Sequence, residues 1–206
     1  MEKNRVDSFS DCVFAVAITL LVLAFKVPEV SLTHGEGELI HALWDAAPKF
    51  AAYFSSFIIV AVWWVSHHQL FHTLHKTDRT LLWLNVFFLM WVCLIPFPTA
   101  LIGDYPTSHT AAFLYGAVVT LTAISFIWMR WYATLKAKLL KADLPVDAVK
   151  RTFRKGLLSP LFHIIGMLIA VFAPILALVV YAGIAILFIF PTAVDHHIAH
   201  SSKAAE

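Results

Sequence analysis

The sequence predicts an all-α, polytopic membrane protein: a single domain over residues 1–206 with six transmembrane helices and no separate soluble domain. Hydrophobic residues make up 60% of the chain and charged residues only 14%, whereas soluble domains carry nearer a quarter charged residues. The apolar residues stand in long runs, and only helices or closed barrels satisfy the backbone in lipid. The strands of a barrel would be short and alternating, so the runs indicate helices.

The first span is predicted at residues 9–27. The run 12–25 has no charged residue, and Lys26 and Pro28 close it. Residues 9–27 would extend roughly 28 Å as a helix, close to the hydrocarbon thickness of a bilayer. Asp11 is therefore predicted just inside one membrane face, where ionisable groups are costly and usually functional. The run ends in Phe-Lys-Val-Pro-Glu rather than a small-residue cleavage site, so we do not expect a cleaved signal peptide.

Five further spans follow along the chain. Residues 157–194 contain no Lys, Arg, Asp or Glu, and as one helix they would reach roughly 57 Å, too far for a single crossing. Pro174 lies near the middle of this stretch and disfavours helical continuation, so we divide the stretch in two. The five spans are predicted at residues 49–67, 81–102, 110–129, 157–173 and 175–192.

Positive charge predicts the orientation of these spans. If the N-terminus is cytoplasmic, all 15 Lys and Arg residues except Lys26 and Lys49 fall in cytoplasmic segments. This distribution follows the positive-inside rule and places both termini in the cytoplasm. The loop 130–155 holds most of the charge. Topology alone explains that loop, and binding of anionic lipid headgroups is the second explanation.

Polar residues stand at characteristic positions in the first three predicted helices. The first helix carries an arginine, three further residues and then Phe-Ser-Asp, and a Lys-Thr-Asp turn precedes the third helix. The signature residues are Arg5, Phe9, Ser10, Asp11, Trp64, His67 and Asn85. This combination resembles the lysosomal potassium channel family (transmembrane protein 175) and its bacterial relatives over residues 5–100. The remaining residues match that family by number of spans.

The resemblance implies a potassium-permeable cation channel and not an enzyme, with K+ as the permeant ion and no cofactor. Eukaryotic members of the family carry two repeats and assemble as dimers. Because this chain has one Phe-Ser-Asp, the resemblance implies a bacterial homotetramer with four first helices around a central pore. The expected partners are further copies of the chain and the lipid bilayer of the inner membrane, and no nucleic acid.

One broad face of the first predicted helix is almost entirely aliphatic. At 100° per residue, this face carries Val16, Thr19, Leu20 and Leu23. The resemblance implies that the face lines the pore, although packing against other helices would explain the same pattern. Four Val16 or Leu23 side chains on one axis would form an apolar collar that gates by dewetting. Thr19 supplies the one hydroxyl, so we expect modest selectivity for potassium over sodium.

Ser10 and Asp11 lie away from that face. Asp11 is about 140° from Val16 around the helix, and Ser10 is about 120° away on the other side. Both are therefore predicted to face neighbouring helices and to form a structural clamp, since a buried carboxylate needs donors or a counter-charge. The predicted partners are Arg5, Trp64, His67 and Asn85.

Histidines cluster after the second span. His68, His72 and His75 stand at i, i+4 and i+7, so a continuing helix would align them as ligands for zinc or copper. Solvated histidines at the cytoplasmic membrane interface are the favoured explanation of the cluster, and we expect no metal site. Cytoplasmic histidines could also make opening sensitive to pH.

Two other function classes remain. A secondary transporter of a metal ion, or one that couples a cation to protons, is the alternative to a channel. Transporters usually show paired repeats and broken helices, whereas residues 9–27 contain no Gly and no Pro before Pro28. A membrane-embedded enzyme is disfavoured because the chain has no His-Glu-x-x-His motif.

Overall fold

The computed structural model describes residues 3–29, 36–137, 139–142 and 144–189. Within these residues the fold is entirely helical, with no strand and one isolated bridge between Leu74 and Leu140. A π-helical turn, Tyr132–Lys136, extends α6. The helices are α1 (Lys3–Val22), α2 (Gly37–Asp45), α3 (Ala47–Thr73), α4 (Arg79–Leu94), α5 (Pro96–Asp104), α6 (His109–Trp131), α7 (Val146–Gly156), α8 (Leu158–Ala170) and α9 (Pro174–Ile189).

Four helical stretches of the described chain are long and apolar enough to cross a membrane. They make the chain a multi-pass membrane protein, and the shorter apolar helix α9 follows them. The predicted span 175–192 overlaps α9 as far as Ile189, and residues 190–192 lie outside the described residues. The four stretches are Ala47–Thr73, Arg79–Asp104, His109–Lys136 and Asp147–Ala170.

The first helix differs from the prediction in both bounds. It begins at Lys3 and ends at Val22, five residues before the predicted end at residue 27. Beyond the helix, Phe25 packs against Phe50 and Tyr53 of α3 with ring centroids 4.7 and 5.4 Å apart, and Pro28 disfavours helical conformation at residue 27. α1 is also not among the four long apolar stretches, since four charged residues, Lys3, Arg5, Asp7 and Asp11, occupy its first three turns.

The core lies where α1, α3, α4 and α6 meet. One face of α1 is buried, with Val6, Ser10, Phe14, Ala17 and Leu21 at three- and four-residue spacing. These residues pack against α3 and α4. Behind them, the rings of Trp63, Phe88 and Phe126 join α3, α4 and α6 at centroid distances of 5.2 to 6.1 Å.

The hairpin of α8 and α9 attaches to α6 through Tyr181. Its ring is 1% exposed, and a Cβ atom at either Gly116 of α6 or Gly166 of α8 would collide with it. Small residues let membrane helices approach closely. The two glycines therefore leave the space in which the ring of Tyr181 packs between α6, α8 and α9.

Candidate functional site

A buried polar cluster links the first helix to two others. The Asn85 amide on α4 donates to Ser10 Oγ of α1 at 2.9 Å, and Ser10 Oγ donates to the Val6 carbonyl at 2.9 Å. Asn85 Oδ1 lies 2.7 Å from His67 Nε2 of α3. Because an amide oxygen only accepts, this contact requires the His67 proton on Nε2. Each helix thus contributes one side chain to a continuous chain of hydrogen bonds.

The surroundings of His67 are aromatic and dry. The ring is fully buried and stacks on Phe71 at 4.3 Å and on Phe88 at 5.9 Å. The ring of Phe14 meets it edge-on at 5.7 Å. An unmade hydrogen bond is costly in such a setting, so the Asn85 contacts stabilise the fit of α1, α3 and α4. His67 Nδ1, by contrast, has no hydrogen-bond partner among the described residues.

Asp11 makes a separate contact. Trp64 Nε1 of α3 donates to Asp11 Oδ1 at 2.9 Å. The predicted partners of Ser10 and Asp11 are Arg5, Trp64, His67 and Asn85. Among the described residues, Asp11 receives a side-chain hydrogen bond only from Trp64. Arg5 is exposed, and no ion pair of the described chain joins it to Asp11.

The opposite face of α1 is exposed in the single chain. Val16 is 55% exposed and Leu20 40%, and Leu23, in the turn after the helix, is 72% exposed. Phe9, near the start of the helix, is also exposed. Thr19 Oγ1 donates to the Val16 carbonyl at 2.9 Å, so its proton is engaged with the backbone and its oxygen acts towards the exterior as an acceptor.

The expected row of histidines is not formed. α3 ends at Thr73, and Leu74 takes an extended conformation with ψ of 139°, so His75 leaves the face that His68 and His72 share. In the part of the chain described by the structure, a different group of side chains with potential ligand atoms comes together. The ligand atoms of Asp7, Asp11 and His68 lie within 4.8 Å of one another.

Asp7 belongs to this group and precedes the predicted span. One of its carboxylate oxygens, Oδ1, is buried and has no hydrogen-bond partner among the described residues. Sequence reasoning missed Asp7, although its four-residue spacing from Asp11 indicates a shared side of the helix.

The turn between α3 and α4 is held by Asp78. Its Oδ1 accepts from the Leu81 N–H at 2.8 Å and caps α4, as aspartate commonly does. Its Oδ2 accepts from the Tyr132 hydroxyl at 2.7 Å. Sequence reasoning recognised the Lys-Thr-Asp turn but missed Tyr132, because nothing in the spacing brings the end of α6 to this turn.

Fold and site together define a class: a polytopic helical membrane protein. One face of its first helix is hydrogen-bonded to neighbouring helices, and the other face is exposed in the single chain. The sequence model of the family described as endosomal/lysosomal potassium channel TMEM175 matches residues 5–96. That range contains every signature residue of the first three predicted helices.

Individual relatives extend the match along the chain. The chain is 40% identical over 155 residues to a potassium channel of Streptomyces collinus, covering 73% of this chain and 74% of the relative. It is 31% identical over 194 residues to a potassium channel of a Chryseobacterium species, covering 93% and 94%. The crystal structure of a lysosomal potassium-selective channel TMEM175 homolog from Chamaesiphon minutus matches with a TM-score of 0.80 at 30% identity, covering 91% of this chain and 96% of that one.

The chain therefore belongs to the TMEM175 family and resembles its bacterial members. This family and these relatives are ion channels, not enzymes.

Proposed function

We propose that the protein is a potassium-permeable cation channel in which four copies surround a central pore lined by α1. One observation carries the proposal: α1 is hydrogen-bonded to its own subunit on one face while its aliphatic face is bare. Lipid would accommodate that face as well. Family membership favours the pore, because relatives that cover most of this chain are potassium channels.

Val16, Leu20 and Leu23 are the proposed gate. Val16 and Leu20 lie one helical turn apart, roughly 6 Å along the axis, and Leu23 follows in the turn beyond the helix. Four copies of each side chain would form an apolar collar, which blocks ions when water leaves it. The gate then opens by any movement that widens the collar enough for water to return.

Thr19 is the proposed source of selectivity. Its hydroxyl proton is donated to the Val16 carbonyl, so a ring of four Thr19 oxygens would present lone pairs to a passing cation. Hydroxyl oxygens replace part of the hydration shell with a weaker field than a cage of carbonyls. Selectivity for potassium over sodium is therefore modest.

The proposed topology has six spans in a bacterial inner membrane, with both termini in the cytoplasm. α1, α3, α4 with α5, α6, α7 with α8, and α9 form the spans in chain order. The basic residues of α7 and of the end of α6 then lie on the cytoplasmic side, as the positive-inside rule requires. K+ is the permeant ion in this proposal, and the partners are the bilayer and the other three subunits.

A pair of matched substitutions tests the pore assignment. Val16 and Val22 are both valines of α1 and are 55% and 49% exposed, but they lie about 120° apart around the helix. Val16→Thr should wet the collar, increase cation current in planar bilayers and weaken potassium over sodium discrimination. Val22→Thr should leave both unchanged. Equal behaviour of the two variants would show that this face of α1 does not line the pore.

Two further measurements bear on the proposal. Leu23→Ser should raise current as Val16→Thr does, whereas Ala15→Ser should leave conduction nearly unchanged. The mass of the protein in detergent, measured by light scattering, should correspond to four copies, since closed cyclic symmetry is the ordinary arrangement of identical subunits around a common axis. A monomer or dimer that conducts potassium would refute the four-helix pore.

A further inference from the structure

Three buried hydroxyls form a second polar cluster, roughly 16 Å along α3 from His67. They belong to Ser56 of α3, Thr99 of α5 and Tyr115 of α6, and none of these residues is more than 2% exposed. The Tyr115 hydroxyl oxygen lies 3.0 Å from Ser56 Oγ. Thr99 Oγ1 lies 2.8 Å from Ser56 Oγ and 2.8 Å from the Ile95 carbonyl oxygen. The cluster therefore joins three helices through side chains that are closed to solvent.

One order of protons satisfies every contact of the cluster. A hydroxyl carries one proton, and a carbonyl oxygen only accepts. All three contacts are hydrogen bonds at once only if Thr99 donates to the Ile95 carbonyl. Ser56 then donates to Thr99, and Tyr115 donates to Ser56. Loss of one hydroxyl leaves a proton or a lone pair of this chain unpaired in a buried setting, which is costly.

The helix α5 begins at a break in the backbone. α4 ends at Leu94 and α5 begins at Pro96, and neither Pro96 nor Pro98 has an N–H that could continue the hydrogen bonds of α4. The Ile95 N–H bonds the Val92 carbonyl, three residues back instead of four. Because the backbone is weakly braced at this break, contacts with other helices stabilise the position of α5.

The hydroxyl chain is the main polar attachment of α5 to α3. At the far end of α5, Lys49 Nζ of α3 lies 2.7 Å from Asp104 Oδ1, and these side chains are 35% and 53% exposed. Exposed ion pairs contribute little to stability. Thr99 and Ser56 are buried, so their hydrogen bond is the contact whose loss would free α5 most.

The same region supports the C-terminal end of α1. Leu21 of α1 and Phe25 just beyond it line a small cavity together with Thr99 of α5. The cavity offers about 10 Å³, barely room for one water molecule, so α1 and α5 pack closely here. Leu21 stands between the proposed gate residues Leu20 and Leu23. A displacement of α5 therefore reaches the part of α1 that carries the proposed gate.

We infer that Thr99 is a positioning residue for the proposed gate. Its hydroxyl completes the chain that holds α3 to α5 and α6, and α3 and α5 together support the end of α1. Hydroxyl side chains commonly join membrane helices in this way. The inference rests on the proposed function for the role of the gate, but not for the position of α1.

Matched threonine variants test this role. Thr99→Val keeps the side-chain shape and removes the hydroxyl. Thr122→Val does the same at a buried threonine of α6 whose hydroxyl donates to the Val118 carbonyl of its own helix. In planar bilayers, Thr99→Val should raise the open probability about fivefold, the factor that one hydrogen bond is worth, because α1 is held less firmly; Thr122→Val should change it less than about twofold. Equal effects would overturn the inference.

A second measurement follows α1 without any current. A spin label is attached at Val22→Cys, at the exposed end of α1, after both native cysteines are replaced by alanine. The spectrum should shift towards a more mobile label in Thr99→Val and should not shift in Thr122→Val. An unchanged spectrum in Thr99→Val would overturn the positioning role.

The two measurements separate a failure of this inference from a failure of the proposed function. If Val16→Thr and Val22→Thr conduct alike, the pore assignment is wrong, and the spin label still shows whether Thr99 positions α1. If those two variants differ as expected while Thr99→Val leaves the label and the open probability unchanged, the pore assignment stands and only the inference about Thr99 falls.

Two further variants keep the test decisive. Thr99→Ser retains the hydroxyl and should restore both readouts to those of the unmodified protein; the same result as Thr99→Val would show that the hydroxyl is not the cause. Tyr115→Phe removes the first donor of the chain and keeps the ring, so it replaces Thr99→Val if that variant does not assemble. It should change both readouts in the same direction, and no change would overturn the inference.

Discussion

Replacing Asn85 by leucine isolates the polar cluster behind α1. Leucine has a similar size, so the substitution removes both hydrogen-bonding groups while leaving little empty space. Asn85 is 1% exposed, and it bonds His67 at 2.7 Å and Ser10 at 2.9 Å. In the variant, the His67 Nε2–H remains inside its aromatic surroundings without an acceptor.

The expected loss follows from these contacts. An unsatisfied buried donor costs about 1–3 kcal/mol, and an ordinary hydrogen bond contributes about 0.5–1.5 kcal/mol. Ser10 still donates its hydrogen bond to the Val6 carbonyl. The loss of stability at Ser10 is therefore limited to the hydrogen bond that it accepts from Asn85. The free energy of unfolding should therefore fall by about 2–4 kcal/mol. Met90→Leu on the same helix, 50% exposed, should change it by less than about 0.5 kcal/mol.

The assay is unfolding in detergent, followed by tryptophan fluorescence at fixed protein and lipid concentration. A double-mutant cycle with Ser10→Ala should give a coupling energy of about 0.5–1.5 kcal/mol. The reversal potential for potassium and sodium should stay unchanged, because the cluster lies on the buried side of α1. The reasoning fails if Asn85→Leu is as stable as Met90→Leu, or if it folds normally and shifts the reversal potential.

Three further predictions concern other contacts. Asp11→Ala should lower the yield of the proposed tetramer more than it changes selectivity, because Trp64 loses its acceptor; normal yield with a shifted reversal potential would place Asp11 in the proposed pore. Thr19→Val should reduce potassium preference in bi-ionic recordings, and an unchanged ratio would exclude the hydroxyl ring. Gly166→Ala should destabilise the protein by about 1–3 kcal/mol through overpacking against Tyr181, and the combination with Tyr181→Leu should recover most of the loss in thermal unfolding.

Apolar composition indicates the long helical stretches from residue 47 onwards, but neither α2 nor α7. Uninterrupted apolar runs indicate the stretches from α3 onwards, and Pro174 marks the start of α9. The first span was predicted to continue to residue 27 because apolar composition continues past Val22, where α1 ends. Beyond Val22 the chain leaves the helix, and Phe25 packs against α3. A contact between residues 25 apart or more leaves no mark in the local sequence.

Pairing within the polar cluster shows the same limit. Helical periodicity predicts Ser10 and Val16 on different sides of α1, but it leaves open which donor meets which acceptor. That choice depends on how α3 and α4 are rotated around their axes. Only the folded structure shows that Trp64 donates a hydrogen bond to Asp11 and that Asn85 donates one to Ser10.

Contacts near both ends of α1 attach this helix to α3. At the end near the N-terminus, Trp64 of α3 holds Asp11; beyond the other end, Phe25 rests on Phe50 and Tyr53 of α3. Because contacts with α3 lie at both ends, we expect α1 to move together with α3 and not alone. If α1 lines a pore, the pore therefore widens through displacement of whole subunits or through rotation of individual side chains about their own bonds.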